Sequence, residues 1–247
     1  MTNSPPKATS TSIAARDLPY ADGDARLHGR FFWDETHDTP RPGILLIHGG
    51  AGLDDHACDQ ARRYAELGYA VLACDMFGEG VKGDRERIMA TLMAMRDDPD
   101  RLVRRAQAGL DALGRCPETG VGRAAVGFCF GGMAALTLAR EGAGLAGAVS
   151  VHGTLATSRP AETGAVKARI LVCHGAADPH VPMSDVAVFT EEMNHAGADW
   201  QLTVYGRAQH GFTHTNAVPG SGGVAYDRPT DERSFAAIRT FLADVLD

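Results

Sequence analysis

Two rhythms of apolar and polar residues alternate along this chain. Short continuous apolar runs stand at 43–47, 70–73, 122–127, 146–151 and 169–173. Runs of that length, closed off by glycine and polar residues, predict strands covered on both faces. Between them lie segments with helical spacing, such as Leu102, Val103, Ala106, Leu110 and Leu113 within 101–113. Further helices are predicted from Asp54 or Asp55 to Leu67, stopped by Gly68, and over 182–194 and 231–246. A strand at 201–205 completes the parallel set. Residues 18–33 read as an antiparallel hairpin turning at Ala21-Asp22-Gly23-Asp24, and 34–42 as a polar loop. Residues 76–98 are less regular and read as a loop with a short helix near any site.

Strands and helices alternate with no linker and no repeat. That pattern predicts a single α/β domain over 16–247, with a doubly wound, mostly parallel sheet and helices on both faces. The stretch between the runs at 146–151 and 169–173 is too short for a cap domain. Residues 1–15 are rich in Ser, Thr and Pro and lack the apolar core of a signal peptide, so they read as a disordered tail.

Composition narrows the function classes. The net charge of −7, with no basic cluster, argues against nucleic-acid or anionic-membrane binding. No apolar run approaches the ~20 residues of a membrane span. The five cysteines are scattered, with no Cys-x-x-Cys, which suits a reducing cytoplasm and argues against both a disulfide framework and a structural zinc site. A chain of 247 residues can act as a monomer or a homodimer.

The candidate chemistry centres on Ala125-Val126-Gly127-Phe128-Cys129-Phe130-Gly131-Gly132-Met133-Ala134. A strand meets a glycine-flanked cysteine, and an alanine-rich helix begins near Phe130. This is the Gly-x-nucleophile-x-Gly elbow, with cysteine as the nucleophile. The N-terminal end of the helix would favour the thiolate. A cysteine nucleophile needs a base and an orienting acid. Asp178 follows the strand at 169–173 and His210 follows the strand at 201–205, giving the chain order nucleophile, acid, histidine. His174 and His180 flank Asp178 and superficially suggest a metal site, but no further ligand stands out, so no metal is expected. The oxyanion of an acyl-transfer reaction would be held by the backbone N–H groups of Phe130 and Gly50, the latter in the loop His48-Gly49-Gly50. Phe77, Phe128, Phe130 and Phe212 could line a pocket, with His152 and the 213–226 loop as further wall.

From about Leu18 to its end the chain resembles the dienelactone hydrolase family of α/β-hydrolases. The resemblance rests on Gly127-Phe128-Cys129-Phe130-Gly131-Gly132, on His174-Gly175-Ala176-Ala177-Asp178-Pro179-His180-Val181-Pro182, on His210-Gly211-Phe212-Thr213, and on Gly223-Val224-Ala225-Tyr226-Asp227. It implies a Cys-His-Asp triad that hydrolyses small esters or lactones through a thioester acyl-enzyme, without metal or cofactor. Family members that open dienelactone also use arginines for the substrate carboxylate and a glutamate that restrains the resting thiol. The glutamate position falls within His48-Gly49-Gly50, and the arginine positions fall near Glu79 and His214, with Arg207 and Lys82 nearby as substitutes. The resemblance thus implies a thiol paired directly with His210, and His48, Glu79, Phe128, His152, Phe212 and His214 as substrate contacts. Alternatives are a dienelactone hydrolase proper (carboxymethylenebutenolidase) or a non-catalytic, ligand-binding or redox-responsive member of the same fold.

Overall fold

The computed structural model describes residues 11–81, 83–217, 220 and 222–246. Among them, β1 (Ile13–Asp22) and β2 (Ala25–Asp34) form the antiparallel hairpin. The turn places Gly23 at φ +57°, a conformation that disfavours side chains. β1 begins upstream of Leu18, so residues 13–15 pair in the sheet and are not part of a tail; residues 1–10 lie outside the described residues. Two contacts explain the longer strand. The Ser12 N–H donates to Asp34, and the Arg16 guanidinium lies over Phe31 and Trp33 while pairing with Glu118.

The remaining strands are β3 (Arg41–Ile47), β4 (Ala70–Cys74), β5 (Thr119–Phe128), β6 (Gly147–Val151), β7 (Arg169–Gly175) and β8 (Trp200–Tyr205). Among the described residues the sheet order is β1-β2-β4-β3-β5-β6-β7-β8, antiparallel at β1–β2 and β2–β4 and parallel from there on. The helices are α1 (Asp55–Ala65), α2 (Arg85–Asp97), α3 (Pro99–Gly114), α4 (Phe130–Arg140), α5 (Met183–Ala196) and α6 (Arg228–Leu246).

Successive residues of each central strand serve opposite faces, because side chains alternate along a strand. Leu45 and Ile47 join the core packed by α3, α4 and α5 (Leu110, Leu138, Phe189). Ile44 and Leu46 join the core packed by α1 and α6 (Ala61, Tyr64, Phe241, Leu242). This double covering explains why the strands read as unbroken apolar runs.

The 76–98 segment departs from the expected short helix. α2 spans 13 residues, with the Asp84 carboxylate accepting the Arg87 N–H as its cap. It ends at Asp98-Pro99, where the Asp98 side chain caps α3 and Pro99 occupies the first turn. α2 buries one residue, Met95, which is why its pattern is weak. No helix or strand interrupts 152–168, in line with the missing cap domain. Among the described residues, no helix is long and apolar enough to cross a membrane.

Candidate active site

β5 ends at Phe128 and α4 starts at Phe130, leaving Cys129 alone to make the turn. Its φ of +52° is uncommon for a residue with a side chain. The backbone around it is tightly fixed: the Cys129 N–H donates to Val151 O at 3.0 Å, and Cys129 O accepts from Gly132 N at 3.0 Å. A Cβ on Gly127 would collide with the Gly131 carbonyl, and one on Gly131 with the Ile47 carbonyl. The two glycines are therefore required by close backbone approach. α4 is buried along its whole length, so the elbow rests on a rigid core helix whose positive end faces the sulfur.

β7 and β8 deliver the other two groups. Asp178 Oδ2 accepts from His210 Nδ1 at 2.8 Å, and His210 Nε2 lies 3.0 Å from Cys129 Sγ. The second Asp178 oxygen accepts the N–H groups of His180 at 2.8 Å and Val181 at 3.1 Å, so the carboxylate is held at both ends. A strap at 223–225 fixes the main chain of His210: His210 N donates to Gly223 O at 3.2 Å and Ala225 N to His210 O at 3.1 Å. Gly223, at φ +79°, passes so close to the Pro179 ring that a Cβ would strike it. The strap thus locks the acid loop and the histidine loop together.

The electrostatics follow from these contacts. Burial pushes the Cys129 thiol upward, but the His210 hydrogen bond and charge, with the Phe130 and Gly50 N–H groups, more than offset it, and the net shift is downward. Burial lowers His210, yet Asp178 and the thiol outweigh it and raise the imidazole to about 10. Burial raises Asp178, and the His210 and backbone hydrogen bonds bring it below the ordinary carboxylate value. These directions favour a thiolate–imidazolium pair. The same Phe130 and Gly50 N–H groups nominated from the sequence as oxyanion donors are the ones aimed at the sulfur.

The predicted substrate contacts fare differently. His48 is fully buried; its Nε2 accepts the Met76 N–H at 3.1 Å, and its Nδ1 faces Gly49 O at 2.7 Å. It ties the β3 and β4 loops together and does not face a substrate. Phe128 and Phe212 are core residues, 1% and 0% exposed, and Phe77 and Phe130 pack on the His48 ring. His152 is fully buried. Glu79 is exposed, in a cleft of about 560 Å³ whose walls include Asp17, Arg62 and Asp75 but no member of the Cys129–Asp178–His210 set. His214 is half-buried and lies against Gly49. Arg207 is exposed on the loop after β8, and Lys82 lies outside the described residues. A second cleft of about 470 Å³ borders Gly50, with Leu53, Ile88 and Met89 in its wall.

His56 was not legible as a site residue. It sits on α1, its Nε2 lies 3.0 Å from Thr213 Oγ1, and its ring stacks on His214 with centroids 3.7 Å apart. Only the tertiary fold brings these three together. Cys74, Cys116 and Cys173 are buried and burial raises each thiol, Cys173 to about 12. Among the described residues, no cluster of three or more His, Cys, Asp or Glu side chains could hold a metal ion.

A cysteine elbow on a doubly wound sheet, with a histidine and an acid at the ends of later strands, marks an α/β-hydrolase. The dienelactone hydrolase family model matches residues 29–246, and the chain belongs to that family. Among solved structures, a dienelactone hydrolase-like promiscuous phosphotriesterase from metagenomic libraries is 39% identical, with a TM-score of 0.91 over 95% of this chain and 99% of that one. A second structure, m3DLH, is 38% identical, with a TM-score of 0.90 and the same shares covered. An uncharacterized Caenorhabditis elegans protein is 34% identical over 152 residues, 60% of this chain and 96% of that protein.

Proposed function

We propose that this hydrolase cleaves small carboxylic esters or lactones by covalent catalysis at Cys129. The carrying observation is the Asp178–His210–Cys129 line of hydrogen bonds, 2.8 and 3.0 Å long, with two backbone N–H groups aimed at the sulfur. The Cys129 thiolate attacks the carbonyl carbon, and the N–H groups of Phe130 and Gly50 hold the developing oxyanion. The tetrahedral intermediate collapses, the C–O bond to the alcohol breaks, and His210 Nε2–H protonates the departing alkoxide. The neutral imidazole then takes a proton from water, whose oxygen attacks the thioester. Collapse releases the carboxylic acid and restores the thiolate–imidazolium pair. Asp178 keeps the Nδ1–H oriented and steadies the imidazolium throughout.

Steady-state hydrolysis of p-nitrophenyl acetate by the wild type and by Cys129→Ala tests the reading. Turnover that disappears in the variant supports it; equal rates, or no turnover by either folded protein, refute it and favour a ligand-binding or redox role. The resemblance to the phosphotriesterase, at 39% identity across 95% of this chain, favours a second activity. The same thiolate would attack the phosphorus of a neutral phosphotriester, breaking the P–O bond to the leaving group as His210 protonates it, and water activated by His210 would then cleave the S–P bond and release the phosphodiester. Release of p-nitrophenol from paraoxon, lost in Cys129→Ala, is the expected result.

A further inference from the structure

Beside the catalytic line lies a second, buried hydrogen-bonded group for which the proposed chemistry has no step. Thr213 Oγ1 lies 2.9 Å from His152 Nε2 and 3.0 Å from His56 Nε2. Thr213 stands three residues after His210 on the same loop. His152 directly follows β6, and His56 belongs to α1. The hydroxyl therefore pins the loop carrying His210 to two elements whose other contacts with it include the stacking of His56 on His214 and the edge contact of His152 with Phe212. His152 also stands edge-on to the His210 ring, centroids 5.3 Å apart. It does so from a φ of +42°; Cys129 and His152 are the non-glycine residues with positive φ among those described. A backbone in that region persists where the surroundings impose it.

The proton count at Thr213 is restrictive. Burial keeps both imidazoles uncharged, His152 well below the ordinary value and His56 at about 3, so each ring carries one N–H. The hydroxyl has one proton to donate. At most one histidine can accept that proton at Nε2, so at least one of the two rings donates its Nε2–H to the hydroxyl oxygen. Neither Nδ1 has a hydrogen-bond partner among the described residues, so Thr213 is the hydrogen-bond anchor for both rings.

We infer that the His56–Thr213–His152 bridge positions His210, fixing its ring against Cys129 and thereby holding the thiolate–imidazolium pair. These are positioning residues: they act through His210 and touch no reacting atom. The inference rests on the hydrolase reading for its kinetic consequence, but its effect on the thiol is readable without any ester.

The test uses Thr213→Val, which keeps the shape and removes the hydroxyl, Thr213→Ser, which restores it, and His152→Asn, which tolerates the positive φ but is too short to reach Thr213. Iodoacetamide alkylation of Cys129 as a function of pH reports the thiol pKa, and p-nitrophenyl acetate reports kcat and KM. Thr213→Val and His152→Asn should move the alkylation midpoint up toward the ordinary thiol value of 9.0. They should lower kcat by roughly 10- to 100-fold while KM stays within about threefold, the range expected of small misplacement of a catalytic group. Thr213→Ser should recover most of both. A wild-type alkylation profile in Thr213→Val or His152→Asn would overturn the inference, as would a Thr213→Ser variant as impaired as Thr213→Val. A wild type that hydrolyses no ester but shows the midpoint shift would refute the hydrolase reading and leave the bridge standing.

Discussion

Replacing Asp178 by asparagine changes one atom of the site and separates its electrostatics from its shape. Asp178 now accepts from three donors: His210 Nδ1 on one oxygen, and the His180 and Val181 N–H groups on the other. An amide offers a single oxygen. If that oxygen stays with the two backbone donors, the new NH2 faces His210 Nδ1 and tolerates only a ring with no proton there. The neutral tautomer with Nε2–H is then imposed, and the imidazolium is lost. If the amide turns round, two backbone N–H groups lose their acceptor, at about 1–3 kcal/mol each. His210 stands at about 10 against an ordinary 6.5, raised by both Asp178 and Cys129. Losing the charge-assisted hydrogen bond to the imidazolium costs about 1.5–3 kcal/mol, or roughly 10- to 150-fold in rate. With the tautomer penalty added, kcat/KM for p-nitrophenyl acetate should fall about 10²- to 10³-fold. That is less than the ~10⁴ seen for the same change beside a serine nucleophile, because a thiol ionises more readily. The assay is kcat/KM against pH for wild type and Asp178→Asn, with thermal unfolding as the folding control. A folded variant within threefold of wild type, with an unmoved acid limb, would refute the assignment of Asp178 as the residue that holds the imidazolium.

Further outcomes follow from the same structure. The pH profile of wild-type kcat/KM should be a bell: it rises as Cys129 ionises below the ordinary thiol value of 9.0, and falls as His210 loses its proton near 10. A single acid limb at or above 9.0 would contradict the paired thiolate. The fold should also be acid-labile. His56 stands at about 3, and burial lowers His152, His174 and His214 as well, so these rings stay neutral in the fold while the unfolded chain takes up protons below about 6.5. Stability should then decline as pH drops from 6.5 toward the folded values, by at most about 1.4 kcal/mol per pH unit for each histidine. Tm measured from pH 7 to 4.5 checks this, with a shallower slope in His56→Gln; a flat Tm would count against it. Gly127→Ala should lower Tm by about 6–12 °C, since the new methyl must displace the Gly131 carbonyl at a cost of roughly 3 kcal/mol.

How much of this was legible depended on where the signal lies along the chain. The parallel strands declared themselves because burial on both faces makes them continuous apolar runs. The start of β1, upstream of Leu18, did not, because an edge strand with a mixed face, Ile13-Ala14-Ala15-Arg16, carries no clean alternation. α2 was underestimated because a helix that buries one methionine has little amphipathic pattern. Cys129, Asp178 and His210 stood out as a candidate set because Cys129 directly follows β5 and the other two lie in the loops after β7 and β8, and the strap at 223–225 was visible as a motif without its purpose. The surroundings were harder to read. His48 looked like a substrate contact in a glycine-rich loop, yet the chain folds it inward to accept the Met76 N–H. Phe128 and Phe212 looked like pocket walls, and the sheet takes them into its core. His56 and Thr213 are 157 residues apart, so their contact has no local signature at all.

The central claim is that acyl transfer passes through a thioester at Cys129. Wild-type protein mixed with p-nitrophenyl acetate, quenched in acid within the first turnovers and mapped by peptide mass spectrometry, tests it most directly. The account predicts one acetyl group on the peptide containing Cys129, removable by neutral hydroxylamine and absent in Cys129→Ala. Continued hydrolysis by Cys129→Ala, or an acetyl group carried on another residue, would contradict it.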